Sequence, residues 1–292
     1  MNNLTLPQGE IGRETFHAVK GFIFDMDGTL ILGDKRNNGF KALPGAIELL
    51  DWLTGEGIPY VVFTNGTTRA PVHYANTLRE MGFKVSEEQM LTPIKSALVT
   101  FAHHGHKRIL TLGGEALAGP LRQNGFEPVN VSELRGKDNY EVDAVLTGWY
   151  PEFTMSDLEA ACLAVESGAK LYASSDALYF ASANGRVLGT SRVMCAMIRE
   201  VTGCSVHVVG KPSYEALFCA AQTMGVEVNE LAVVGDDPVL EVPMAHMGKA
   251  CAIAVNTGLG SANSYHDLPI SAQPHLLLSG VDQLLELCRE EK

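Results

Sequence analysis

The sequence predicts an α/β protein, a Rossmann-like parallel-sheet core with an inserted smaller α/β cap domain. Three observations predict it. Apolar runs of strand length alternate with stretches of helical spacing along the chain, the pattern of βαβ units. Three of those runs stop abruptly in polar groups: Phe22-Ile23-Phe24 in Asp25-Met26-Asp27-Gly28, Pro59-Tyr60-Val61-Val62-Phe63 in Thr64-Asn65-Gly66, and Leu231-Ala232-Val233-Val234 in Gly235-Asp236-Asp237. The chain between the second and third of them carries an alternation of its own. Core segments are therefore expected over 1–95 and 205–292, with the inserted unit over 96–204.

The elements follow in order. Phe22–Phe24 is a buried strand, and the polar, glycine-containing stretch Ile31 to Ala42 reads as a loop. Pro44 to Leu53 has helical spacing with proline near its start, and Gly55 and Gly57 end it. Pro59–Phe63 completes a strand–helix–strand unit. Pro71 to Met81 is a helix closed by Gly82, and Leu91 to Lys95 a connector. The insert then reads helix (Ser96–Ala102), strand (Arg108–Leu112), helix (Gly114–Gln123), strand (Val142–Thr147), helix (Ser156–Glu166), strand (Lys170–Ala173) and helix (Thr190–Thr202). The core resumes with a short strand edge at Val206–Val209 running into Gly210-Lys211-Pro212, where the proline opens the helix Tyr214–Met224. Leu231–Val234 and Ala250–Val255 are strands, and Val281–Arg289 is a closing helix.

Composition limits the function. The chain has 292 residues, 46% of them apolar, enough for one large domain or two modest ones with a sizeable core. Lys and Arg number 22 against 34 Asp and Glu, a formal charge of -12, which argues against a nucleic-acid or anionic-membrane surface. A bound cation reverses such a field locally, so a small anionic substrate stays open. The six cysteines are scattered with no Cys-x-x-Cys pair and read as buried thiols of a reducing, cytoplasmic compartment. Met1 to Lys20 has no apolar run of the secretory kind, and no stretch approaches membrane-spanning length.

Ligands of open α/β sheets bind beyond the carboxyl ends of the strands, where Asp25 and Asp27 fall. Two carboxylates so close repel each other unless a cation lies between them, and Mg²⁺ takes such hard oxygen ligands while leaving room for phosphate oxygens. One aspartate is a candidate nucleophile, the other a candidate general acid and base. Read alone, the pair is as readily a polar turn. Thr64 and Asn65 offer a hydroxyl and an amide to phosphate oxygens, or form a simple turn. Lys211 faces the same strand ends, or is a surface lysine. Asp236 is a candidate to complete the metal site. Two other patterns read as decoys: His103-His104-Gly105-His106 is a solvated helix end without metal-site spacing, and Gly113-Gly114 is a turn rather than a dinucleotide fingerprint.

The string of apolar run, Asp25-x-Asp27-Gly28-Thr29-Leu30, followed in order by Thr64-Asn65, Lys211 and Gly235-Asp236-Asp237, resembles the four-motif signature of the haloacid dehalogenase-like superfamily. The insert falls at its type II cap position. Leu112-Gly113-Gly114-Glu115, Thr147-Gly148-Trp149, Gly210-Lys211-Pro212 and Val255-Asn256-Thr257-Gly258 are similar to the p-nitrophenyl phosphatase-like branch, which includes pyridoxal phosphate and phosphoglycolate phosphatases. The resemblance implies a Mg²⁺-dependent phosphatase acting on a small phosphorylated metabolite, with Asp25 as nucleophile, Asp27 as acid and base, and an aspartyl-phosphate between them. It implies metal ligation by Asp25, the Asp27 carbonyl and Asp236, and phosphate binding by Thr64, Asn65, Gly66 and Lys211. Trp149 and the Ser174–Phe180 loop, with Tyr179 and Phe180, are the candidates for contacts with the leaving group. A homodimer is allowed for; nucleic acid and membrane are not expected as partners. Two departures stand out: Glu241 where the family usually carries Asp, and Ser174-Ser175-Asp176-Ala177-Leu178 where the branch often has an Asn-Pro-Asp-like string. The alternative is a non-catalytic phosphate-binding or regulatory protein on the same fold.

Overall fold

The computed structural model describes residues 14–33, 39–134, 140–183 and 185–290, apart from the side chains of Ala262 and Asn263. The expectation for the N-terminal segment lies largely outside the described residues. The strands are β1 (Gly21–Phe24), β2 (Ile31–Leu32), β3 (Lys41–Ala42), β4 (Tyr60–Phe63), β5 (Met90–Leu91), β6 (Arg108–Leu112), β7 (Glu127–Val129), β8 (Ala144–Thr147), β9 (Lys170–Ala173), β10 (Tyr179–Ser182), β11 (Gly185–Leu188), β12 (Val206–Val208), β13 (Leu231–Gly235), β14 (Cys251–Val255) and β15 (Leu276–Leu278).

Six of them form the first sheet in the order β15-β14-β13-β1-β4-β5, every neighbouring pair parallel. Chain order runs outward from β1 on one side and outward from β13 on the other, so the β1/β13 boundary is the point where the order reverses. Ligands of doubly wound sheets bind in the crevice at that point. Side chains alternate across the sheet: Phe22, Phe24, Ala232 and Val234 enter one apolar cluster, Ile23, Leu231 and Val233 the other. Helices Ala46–Gly55 and Val281–Glu290 cover the first face, Tyr214–Met224 and Glu241–Met247 the second.

The insert is a second parallel sheet, β12-β9-β8-β6-β7, with its own core on each face. Helices Met155–Glu166 and Thr190–Thr202 pack on one side and Pro93–His104 with Glu115–Gln123 on the other. A two-stranded antiparallel hairpin, β10–β11, projects from it. The Ala183 amide donates to the Gly33 carbonyl, so the hairpin touches the loop that follows the first aspartates.

Several expectations need correction. β12 pairs with β9, Val206 opposite Leu171 and Val208 opposite Ala173, so this strand belongs to the insert's sheet and not to the resumed core. The connector Leu91–Lys95 is half strand, half helix: β5 pairs with β4, and the helix opens at Pro93. The Ile31–Ala42 loop carries a short antiparallel pair, β2–β3, at its ends, with 34–38 outside the described residues. Strands β7, β10, β11 and β15 and the helix Glu241–Met247 had not been expected at all. The six cysteines are free. No helix among the described residues is long and apolar enough to cross a membrane.

Candidate active site

Parallel register brings the polar strand ends together. Phe24 lies opposite Val62 in β4 and Val234 in β13, so Asp25, Thr64 and Asp236 emerge side by side from three adjacent strands. A turn follows β1: the amides of Leu30 and Ile31 donate to the Met26 carbonyl, and the Gly28 amide donates to the Ile31 carbonyl at 2.8 Å. Gly28 has φ +94°, and a Cβ there would stand 2.6 Å from Asp236 Oδ2. Glycine is required both for the left-handed backbone and for that approach.

These groups line a cavity of about 90 Å³ between the two sheets. From the core come Asp25, Asp27, Thr64, Asn65, Gly66, Lys211, Asp236, Asp237 and Glu241, and from the insert Trp149, Tyr179 and Phe180. Of the candidate loop Ser174–Phe180, Ser174, Ser175, Ala177, Tyr179 and Phe180 line the cavity and Asp176 and Leu178 do not. Trp149 meets Phe180 edge to face at 6.1 Å and donates through Nε1 to the Leu188 carbonyl at 3.2 Å. Its backbone amide donates to Thr67 Oγ1 on the core at 2.7 Å. Tyr179 is more exposed, with the Arg186 guanidinium 5.2 Å over its ring.

Lys211 is 1% exposed. Its ammonium donates to Asp25 Oδ1 and, at 2.7 Å, to Glu241 Oε1. Burial alone would lower the lysine's pKa, but Asp25 and Glu241 together more than offset this and hold it above its usual range. Glu241 Oε2 accepts from the Asp237 amide at 3.2 Å. Sequence reading noted Glu241 only as a departure; the structure makes it the second partner of the lysine. Asn65 also differs from expectation. Its carboxamide is committed to Ser175 and to the backbone of Lys211, so the side chain does not point a free amide at a phosphate. Thr64 Oγ1 accepts from the Gly66 amide at 3.0 Å and lies beside the Asp27 carboxyl.

The acids strain against one another. Enclosure in the cavity wall, followed by repulsion from Asp25, pushes Asp27 up to about 8. Burial first, then the neighbouring acids, pushes Glu241 up to about 7 despite its lysine and raises Asp236 and Asp237. Five carboxyl groups thus share the cavity with a single ammonium among the described residues. This imbalance fits a cation. Asp236 Oδ2 is held by the Leu259 amide at 2.6 Å, which orients the carboxylate. No three His, Cys, Asp or Glu side chains among the described residues are grouped to hold a metal by themselves. Asp25 and Asp236 are the two carboxylates that could hold such a cation, a sparse protein ligation of the kind under which Mg²⁺ keeps several waters.

The histidine-rich stretch is the end of the helix Pro93–His104, closed by Gly105 at φ 70°. His106 Nε2 is 2.9 Å from the Tyr172 hydroxyl, inside the insert.

A family model described as haloacid dehalogenase-like hydrolase matches residues 22–127, and a second, HAD-hydrolase-like, matches 208–284. The chain is similar to an acid sugar phosphatase of Staphylococcus epidermidis, 27% identical over 221 residues, which are 74% of this chain and 78% of the relative. Among solved structures it is similar to a hypothetical protein of Pyrococcus horikoshii, with a TM-score of 0.82 and 28% identity over 92% of this chain and 99% of that one. It is also similar to a glycerol phosphate phosphatase of Mycobacterium tuberculosis solved in complex with magnesium, with a TM-score of 0.78 and 26% identity over 92% of this chain and 77% of that one. The chain belongs to the haloacid dehalogenase-like hydrolases. Within that family it is a phosphatase.

Proposed function

We propose that the protein hydrolyses a small phosphate monoester, of the sugar- or polyol-phosphate class, through a covalent aspartyl-phosphate. The observation that carries this reading is the meeting of Asp25, Asp27, Thr64, Lys211 and Asp236 at adjoining strand ends around one small cavity roofed by Trp149 and Phe180. The names of the relatives supply the substrate class.

An Asp25 carboxylate oxygen attacks phosphorus in line, forming a P–O bond while the bond to the leaving oxygen breaks. Asp27, held protonated near neutral pH by a pKa of about 8, gives its proton to that oxygen. Water then attacks phosphorus, Asp27 takes its proton, and the Asp25–phosphorus bond breaks to release inorganic phosphate and the free carboxylate. Lys211 offsets charge on the phosphoryl oxygens and fixes Asp25. Thr64 and the backbone amides of the turn after Asp25 bind the same oxygens. Mg²⁺ held by Asp25, Asp236 and the Asp27 carbonyl would neutralise the phosphoryl charge as it passes. The free thiols fit a reducing compartment.

The test is phosphate release from p-nitrophenyl phosphate and from a panel of sugar and polyol phosphates. Wild type should turn over, lose activity in chelator, and yield a hydroxylamine-sensitive phosphoenzyme on acid quench. Asp25→Asn, nearly isosteric, should yield neither product nor phosphoenzyme. Hydrolysis by that variant at the wild-type rate would sink the covalent mechanism.

A further inference from the structure

We propose that Asn65 is a positioning residue: its carboxamide ties the backbone of Lys211 to the cap loop at Ser175, so that the lysine's placement depends on where that loop sits. The consequence for turnover rests on the phosphatase reading above; the tie itself does not.

A carboxamide has two N–H donors and one carbonyl acceptor. Asn65 Nδ2 donates to the Lys211 carbonyl at 2.9 Å and to Ser175 Oγ at 2.9 Å, and Oδ1 accepts from the Lys211 amide at 2.8 Å. Both donors are therefore spent. The Lys211 backbone also dictates the orientation of the group, since its N–H needs the oxygen and its C=O needs the nitrogen. Ser175 Oγ in turn accepts from the Ala177 amide at 3.0 Å, which makes this hydroxyl the hub of the cap loop.

The segment before the lysine is stitched to the same loop. The Val209 amide donates to the Ala173 carbonyl at 2.9 Å. Gly210 permits the crowding, because a Cβ there would stand 2.0 Å from the Ser174 carbonyl oxygen and 2.7 Å from Asn65 Oδ1. At the other end of the side chain, the ammonium is fixed to Asp25 and Glu241. Lysine is a flexible stem, and here its root is anchored by Asn65 and the cap loop while its tip is anchored by the core acids. A displaced root displaces the tip, and misplacement by about 1 Å can cost on the order of 100-fold in rate.

The experiment uses the full chain with Asn65→Ala, Ser175→Ala, Ser175→Thr and the Asn65→Ala/Ser175→Ala double variant. Two readouts are taken, steady-state kinetics on p-nitrophenyl phosphate and amide hydrogen exchange at Lys211. Asn65→Ala should lower kcat by about 100-fold with a much smaller change in KM, and should speed exchange of the Lys211 amide. Ser175→Ala should lower kcat less, Ser175→Thr should restore it, and the double variant should be no worse than Asn65→Ala alone, the signature of two groups acting as one. A wild-type kcat in Asn65→Ala, losses that multiply in the double variant, or unchanged exchange at Lys211 would each overturn the proposal. If Asn65→Ala fails to fold, the Ser175 pair decides, and a wild-type kcat in Ser175→Ala counts against the tie. If wild type itself releases no phosphate, the phosphatase reading falls while the exchange data still judge the tie.

Discussion

Lys211 has two acidic partners, Asp25 and Glu241, on opposite duties. Asp25 is the candidate nucleophile, whereas Glu241 hydrogen-bonds to the lysine and to the Asp237 backbone. Lys211→Ala should lower turnover by roughly 100-fold or more, the scale of losing one preorganised charge-stabilising donor. Glu241→Asp keeps the charge but shortens the arm by one methylene, so it should lower kcat on p-nitrophenyl phosphate by less than Lys211→Ala does. Parallel kinetics on the two variants check the order; a Glu241→Asp enzyme as impaired as Lys211→Ala would mean that Glu241 does more than steady the lysine. At this scale the sequence was readable wherever a residue stood at a strand end. Asp25, Asp27, Thr64 and Asp236 each terminate or follow an apolar run, and parallel pairing forces such ends together. The bonds of Asn65 were not readable, because its partner backbone lies 146 residues away and nothing local marks the meeting. Glu241 was visible as an odd residue, but its contact depends on the way the following helix packs.

The hairpin β10–β11 brings Tyr179 and Phe180 to the cavity and ties Ala183 to the core loop at Gly33. Aromatic faces there can cover a leaving group and exclude water. Replacing Tyr179 and Phe180 together by alanine should raise KM for the preferred sugar or polyol phosphate and change p-nitrophenyl phosphate hydrolysis much less, since an aryl oxide needs little help in leaving. Kinetics with both substrates on a folded double variant decide the point; equal losses on both would remove the hairpin from specificity. Long elements were legible: the helix Thr190–Thr202 has the bounds its spacing predicts. Short ones were not. β5 and β15 have two and three residues and carry too little pattern to separate from loop, and β7 holds a proline, tolerable at the sheet edge it occupies. The hairpin did leave a trace, the Asn184-Gly185 pair between β-prone residues, which is a strong turn signal. β12 was recognised as a strand but assigned to the wrong sheet, because the short Val206-His207-Val208 run says nothing about its neighbour.

Over the whole molecule, the crowded acids link stability to pH and metal. A carboxyl whose pKa is raised on folding binds more protons in the native state, so its contribution to stability falls as pH climbs from its unfolded value toward its folded one. For Asp27 that window is 3.8 to about 8, and for Glu241 it is 4.5 to about 7; Asp236 and Asp237 shift in the same direction. Lys211, raised above its usual range, contributes unchanged stability throughout. The Tm of metal-free protein should therefore fall as pH rises through this range. Added Mg²⁺ should raise it more at the upper end than at the lower, because binding requires ionised carboxylates. Melting curves with and without the ion measure both effects, and a metal-free Tm that rises across the window would contradict the assignment. The interruption of the core by the insert has a further consequence, in the order of assembly. β1 pairs on one side with β4, close behind it, but its other neighbour, β13, arrives only after the insert's sheet, whose five strands are consecutive apart from the hairpin. Contacts at such separation form slowly, whereas a contiguous unit closes early. The insert should therefore organise first and shorten the loop that the core must close. The chain's two tryptophans report the two halves, Trp52 against the core cluster and Trp149 against Phe180 in the insert. In single-tryptophan variants refolded from denaturant, the Trp149 signal should recover before that of Trp52.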